Sequence, residues 1–129
     1  MSITSDEQAI TNIIAEYAHL TDNKFFDEVG ALWTDDGTLE VFGRVYTGPA
    51  KVSRFLSKAY VGKHLSGAAS IWIDDSGITA TGRVGFAFWR AEDLALFTVG
   101  RYEDEYRKTA DGWKFTKRAI VMEYGPIES

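Results

Sequence analysis

Apolar residues recur at helical spacing in the first half of the chain and at strand spacing in the second. Over 5–22, Ile10, Ile13, Ile14, Tyr17 and Ala18 share one stripe, while Asp6, Glu7, Asn12 and Glu16 take the other face. That periodicity predicts an amphipathic helix, and Ser5 followed by Gln8 reads as a capping box at its start. Asp22-Asn23 breaks the pattern. A second, shorter helix over 24–33 is predicted from the stripe Phe25, Phe26, Val29, Leu32 and Trp33, ending in the turn Asp35-Asp36-Gly37. Residues 38–42 read as a short strand. Gly48-Pro49 then opens a third helix with Val52, Phe55, Leu56 and Ala59 as its buried face.

After Gly62 the pattern changes to long strands, over 63–73, 77–91, 95–108 and 113–124. The connections Asp74-Asp75-Ser76-Gly77, Ala91-Glu92-Asp93 and Ala110-Asp111-Gly112 have hairpin chemistry. The expected class is α+β, with three N-terminal helices packed in a strongly curved antiparallel sheet. Gly67, Gly82, Gly85 and Gly100 fall inside strands, where glycine usually marks a bend or a close approach. A long antiparallel sheet covered on one face twists and curls, which predicts a cone-shaped α+β barrel with an internal pocket. Its other face stays uncovered, and alternation places Phe97 and Val99 there. A homodimer or higher homo-oligomer through that face is expected.

Composition narrows the function classes. At 129 residues the chain is expected to form one domain over 1–129. Its net charge is −5, and no Lys/Arg run offers a footprint for nucleic acid or an anionic membrane. The absence of cysteine excludes disulfides, thiolate metal ligands and a cysteine nucleophile. No apolar run approaches the ~18–20 residues that span a bilayer, and the first ten residues lack a signal-peptide pattern, so a cytoplasmic location is expected. Aromatic residues make up 14% of the chain, enough for either a thick core or a lined cavity for an apolar or aromatic ligand.

The two histidines are His19 and His64. His64 opens the first long strand, where alternation groups it with Ser66, Ala68, Ser70 and Trp72 on a mixed, polar face. A hydrogen-bonded structural histidine fits that position, and so does a cavity histidine. His19 reads as a surface or helix-end residue. Asp22 at the helix break reads as a turn residue or helix cap unless the fold brings it beside His64.

Six stretches carry a family resemblance. They are Ile14-Ala15-Glu16-Tyr17, Thr21 to Asp27, Leu32-Trp33-Thr34-Asp35-Asp36-Gly37, Tyr46-Thr47-Gly48-Pro49, Lys63-His64-Leu65-Ser66-Gly67 and Asp111-Gly112-Trp113-Lys114-Phe115. Together, in order and spacing, they make the chain resemble the nuclear transport factor two-like superfamily, in its SnoaL-like branch. The nearest functional resemblance is to scytalone dehydratase-like proteins, where an Asp at the helix break pairs with a His at the start of the first long strand. Asp22, His64, Gly67 and Trp72 match those positions. The pattern departs in having no histidine after His64, Thr21 in place of a tyrosine and Tyr102 in place of an asparagine. The resemblance thus implies an Asp22–His64 dyad without implying scytalone as substrate.

A carboxylate on one imidazole nitrogen fixes the tautomer and raises the basicity of the other. Such a pair can move a proton in dehydration, isomerisation, cyclisation or carbon–carbon cleavage, given a polariser for developing negative charge. Tyr102 and Tyr46 are the preferred polarisers, with Tyr17 and Tyr60 as further candidates. Expected pocket walls are Tyr17, Phe26, Trp33, Phe42, Phe55, Tyr60, Trp72, Phe86, Phe88 and Met122. Arg83 and Arg101 could hold a carboxylate if inward, though alternation turns Arg101 out. No metal or cofactor is expected. The expected function is a cofactor-independent lyase or isomerase for a small apolar or aromatic hydroxy or keto compound. The alternatives are a non-catalytic small-molecule-binding domain and an assembly module resembling oxygenase small subunits.

Overall fold

The computed structural model describes residues 3–125, with side chains from residue 5 onward. Three helices come first: α1 (Ile3–Asp22), α2 (Phe26–Gly30) and, after two strands, α3 (Pro49–Ser57). The strands are β1 (Trp33–Val41), β2 (Arg44–Thr47), β3 (Gly62–Ile73), β4 (Thr79–Arg90), β5 (Leu96–Thr109) and β6 (Gly112–Tyr124). They form one six-stranded sheet in the order β2-β1-β6-β5-β4-β3, curled around the helices and left unclosed between the edges β2 and β3. The α+β architecture and its four long strands match the expectation. The sheet is larger than expected because β1 joins β6 in parallel and carries β2 on its far side.

Three local expectations change. Ser5 lies inside α1 rather than capping it, because the helix starts at Ile3. The second helix is only five residues long, and Trp33 already belongs to β1. Asp35-Asp36-Gly37 is an irregularity within β1, not a turn that ends a helix. The pairing with β6 shifts there, and the Trp33 indole Nε1 donates to the Thr38 carbonyl across the displaced segment at 2.9 Å. Gly37 is required at that point, since a Cβ would stand 2.8 Å from the Phe115 carbonyl oxygen.

The core lies between α1 and the inner face of the sheet. Ile10, Ile14 and Tyr17 of α1 meet Trp33, Leu39, Val84 and Phe115, all buried. Full burial of each such aliphatic side chain contributes about 1.5–3 kcal/mol before entropy is counted. The indole of Trp113 and the Lys108 ammonium both donate to Asp6, at 3.1 and 2.9 Å, and so pin the start of α1 to the β5–β6 hairpin.

A bulge in β3 decides which residues face inward. Ser66 pairs with Phe86 but Ala69 pairs with Val84, so β3 has one more residue than β4 across this step. The alternation therefore reverses after Ser66. His64 and Ser66 point in, as do Ala69, Ile71 and Ile73, while Trp72 points out and is 55% exposed. The expected grouping of Trp72 with His64 is thereby corrected: the Trp72 ring sits on the outer face under the Arg83 guanidinium. A second irregularity, between Phe88 and Trp89 against β5, turns Phe97 inward, so Phe97 is not an outer-face residue.

Candidate functional site

Asp22 is the last residue of α1. The helix closes behind it through Phe25 N–H to the Leu20 carbonyl at 2.8 Å and Lys24 N–H to the Thr21 carbonyl at 3.1 Å. Lys24 adopts the left-handed conformation (φ 67°) that this closure needs. Asp22 caps nothing: α2 starts from Phe25 without a side-chain cap. A carboxylate at a helix C-terminus also faces the unfavourable end of the helix dipole. Its stabilisation comes instead from β3.

Both Asp22 oxygens end on His64. Oδ1 is 2.6 Å from His64 Nδ1, and Oδ2 accepts the His64 backbone N–H at 2.9 Å. Both side chains are largely buried. An acceptor on Nδ1 places the proton there and leaves Nε2 as the basic nitrogen. The imidazole packs against Phe88, its cross-strand partner, with ring centroids 4.5 Å apart.

His64 lines a cavity of about 350 Å³, within the range of small-molecule sites. Tyr17, Phe42, Tyr46, Phe55, Tyr60, Phe86, Phe88, Tyr102 and Met122, all predicted from the sequence, line it too. Tyr46 stacks on Phe55 at 4.5 Å, and Tyr60 stands exposed with its ring 4.7 Å from Phe97. Phe26 instead lines a smaller cavity of about 180 Å³, which shares Thr21, Leu56, Ala59, Tyr60 and His64 with the first. Trp33 is core, fully buried against Phe115 at 4.7 Å and Tyr17 at 5.9 Å. Trp72 is on the opposite face, as described above. Arg101 points outward to Glu103 and Glu123, and Arg83 is exposed.

Tyr17 and Tyr102 are both buried, with their rings edge to face at 5.5 Å. Burial pushes the Tyr17 phenol up to about 12, with Arg118 pulling the other way. Burial pushes Tyr102 well above its ordinary value too, Tyr17 adding to the rise and Arg118 opposing it. Burial thus favours the neutral phenol at both positions. Two further hydroxyls near the dyad, Thr21 Oγ1 and Ser66 Oγ, are buried without a partner.

Sequence reasoning missed the buried pair Asp104–Arg118. Arg118 donates from Nε and Nη2 to the two carboxylate oxygens at 2.9 and 2.8 Å, and Tyr106 donates its hydroxyl to Asp104 at 2.7 Å. A signal existed in β5, where Tyr102, Asp104 and Tyr106 alternate onto one face. None existed in β6: Trp113 and Phe115 predict position 117 as the next inward residue, and the shift near Thr116 puts Arg118 there instead. Among the described residues, no three His, Asp or Glu side chains converge in a group that could hold a metal ion. No helix there is long and apolar enough to cross a membrane.

Comparison with known proteins places this geometry in context. An uncharacterized protein of Mycobacterium tuberculosis is 27% identical over 124 residues, covering 88% of this chain and 83% of its own. A nuclear transport factor two-like protein with a cystatin-like fold from Novosphingobium aromaticivorans superposes with a TM-score of 0.86 at 23% identity, over 96% of this chain and 86% of that one. A candidate scytalone dehydratase from the same organism gives a TM-score of 0.79 at 19% identity, over 94% and 86% of the two chains. The SnoaL-like domain family matches residues 2–119, and the chain belongs to that family.

Proposed function

We propose that the protein is a cofactor-independent lyase or isomerase in which His64 carries the proton transfer. Its substrate is a small apolar or aromatic hydroxy or keto compound, matched to the aromatic lining of the cavity. The observation that carries this reading is the double engagement of Asp22 with His64 at the cavity wall. A histidine held by both carboxylate oxygens has one tautomer and one orientation, with Nε2 left over for a ligand.

In the reaction Nε2 takes a proton from a hydroxyl or from a carbon beside a carbonyl. It then returns that proton to a departing hydroxyl or to a new position on the product. Asp22 orients the ring and stabilises the imidazolium that forms between the two steps. Tyr17 and Tyr102 donate hydrogen bonds to the oxygen on which negative charge develops, and Tyr46 offers a third hydroxyl along the wall. The aromatic walls exclude water, which strengthens each of these interactions.

The test is a panel of aromatic and alicyclic hydroxyketones incubated with the protein and followed by proton NMR. Loss of water, double-bond migration or ring closure at a rate that depends on protein concentration supports the enzyme. Tight binding across the panel with no conversion replaces it with a ligand-binding domain.

A further inference from the structure

The larger cavity is electrically one-sided. The chain carries 19 Asp and Glu against 14 Lys and Arg, yet among the described residues no acid lines this cavity, and Arg44 brings a positive charge to it. The β1–β2 hairpin puts Arg44 there. Phe42 and Gly43 turn the chain in the left-handed region, at φ 53° and 76°, and set Arg44 opposite Val41. Along β2, alternation then places Arg44 on the same side as Tyr46, which also lines the cavity, and turns Val45 out to solvent. Phe42, Arg44 and Tyr60 are exposed as well as lining, which marks their end of the cavity as its mouth. Arg83 and Arg101, the arginines considered for a carboxylate from the sequence, both lie on the outer face of the sheet.

Arg44 and His64 belong to different walls. They stand on the two edge strands, β2 and β3, with four strands between them in the sheet. The imidazole packs on Phe88, whereas Tyr46, beside Arg44 on its face of β2, stacks on Phe55 of α3. With Nε2 unprotonated, the dyad carries the one negative charge of Asp22, which repels an anion. An anionic group is therefore disfavoured at the dyad and favoured at the mouth. We propose that Arg44 is a specificity-determining residue that holds a substrate carboxylate at the mouth, so that the substrate is an aromatic hydroxy or keto acid whose uncharged end is delivered to His64. This rests on the reading of His64 as the base. A planar guanidinium offers two parallel N–H donors, a geometry that matches the two oxygens of a carboxylate. Because Arg44 is exposed, its preference for the anion weakens as salt is added.

The probes are 4-acetylbenzoate and methyl 4-acetylbenzoate, which share the aromatic ketone and differ in the carboxylate charge. Calorimetric titration at low salt should show the wild-type protein binding the acid at least about tenfold more tightly than the ester, the scale of one charge-assisted hydrogen bond. Arg44→Met, which keeps an apolar stem, should remove most of that preference, and Arg44→Glu should reverse it. His64→Ala should keep it, so failure of the base assignment, read by loss of proton transfer, and failure of this one give different results. Equal affinities in the wild type, or binding of neither probe, overturns the proposal. A preference that survives in Arg44→Met overturns it too, as does one that vanishes in His64→Ala, which assigns the carboxylate to the imidazolium. Circular dichroism checks the fold of both Arg44 variants, and should one of them not fold, the other decides the matter.

Discussion

Asp22 grips His64 at two points, its imidazole Nδ1 at 2.6 Å and its backbone N–H at 2.9 Å, from the far end of a different element. The second bond fixes the strand that carries the histidine as well as its ring. Orientation and tautomer of the imidazole are therefore set before any ligand arrives.

Asp22→Asn tests that pre-organisation. The amide keeps the shape, but its NH2 can turn a donor toward Nδ1 and select the wrong tautomer. It also cannot balance an imidazolium. The expected outcome is a folded protein with turnover reduced by about 10²–10⁴-fold, in the range of a general base's whole contribution. Steady-state kinetics with the substrate found in the hydroxyketone panel measures it; wild-type turnover in this variant removes Asp22 from the mechanism.

The helices and long strands were legible because their apolar periodicity is strong and their turns carry Asp-Gly and Gly-Pro signals. Most of the cavity wall was legible for the same reason. What escaped depended on bulges. One extra residue after Ser66 moved Trp72 to the outside, and irregularities near Phe97 and Thr116 turned Phe97 and Arg118 inward. A period of two carries no information across such a step, because a shift of one residue exchanges the faces. The edge strand β2 was missed because Arg44–Thr47 is four residues long and mostly exposed, too short for alternation to register. Pairing of Asp22 with His64 was expected from family resemblance alone, since the two lie 42 positions apart.

Gly30→Ala probes how α2 is held against α3. A Cβ there would stand 1.9 Å from Ser53 Oγ and 2.5 Å from the Pro49 carbonyl oxygen. Ser53 cannot simply swing away, because its hydroxyl donates to the Phe26 carbonyl at 2.6 Å. Overpacking of this kind typically costs about 1–3 kcal/mol. Urea denaturation should show a lower midpoint by a corresponding amount, and an unchanged midpoint would mean that the two helices separate freely.

Acid should destabilise the fold through Asp6 and its surface counterparts. Hydrogen bonds from Trp113 and then Lys108 hold the Asp6 carboxyl below its usual 3.8, and Asp36, Asp74 and Asp93 are also lowered by hydrogen bonds. A depressed carboxylate contributes stability that is complete above the unfolded-state value and is lost as pH falls through the folded-state one. The melting temperature should hold steady above about pH 5 and fall below about pH 4, with a smaller fall in Asp6→Asn. A melting temperature that rises on acidification to pH 3 contradicts the sign.

We expect a homo-oligomer through the outer face of the sheet. Leu65 and Trp72 of β3 are more than half exposed there, with no helix to cover them. Sedimentation at micromolar concentration should give at least a dimer, and Leu65→Lys/Trp72→Lys should shift it to monomer. A wild-type monomer at that concentration leaves the face without an oligomeric role.

Solvent-deuterium incorporation tests the role of His64 most directly. A ketone that occupies the cavity and carries hydrogens beside its carbonyl is incubated with the protein in heavy water, and NMR follows exchange at that carbon. Wild-type protein should catalyse the exchange. His64→Ala should bind the ketone with similar affinity, because the aromatic walls remain, yet lose about 10²–10⁴-fold in exchange rate. Exchange in His64→Ala at the wild-type rate would contradict the assignment and place the base elsewhere in the cavity.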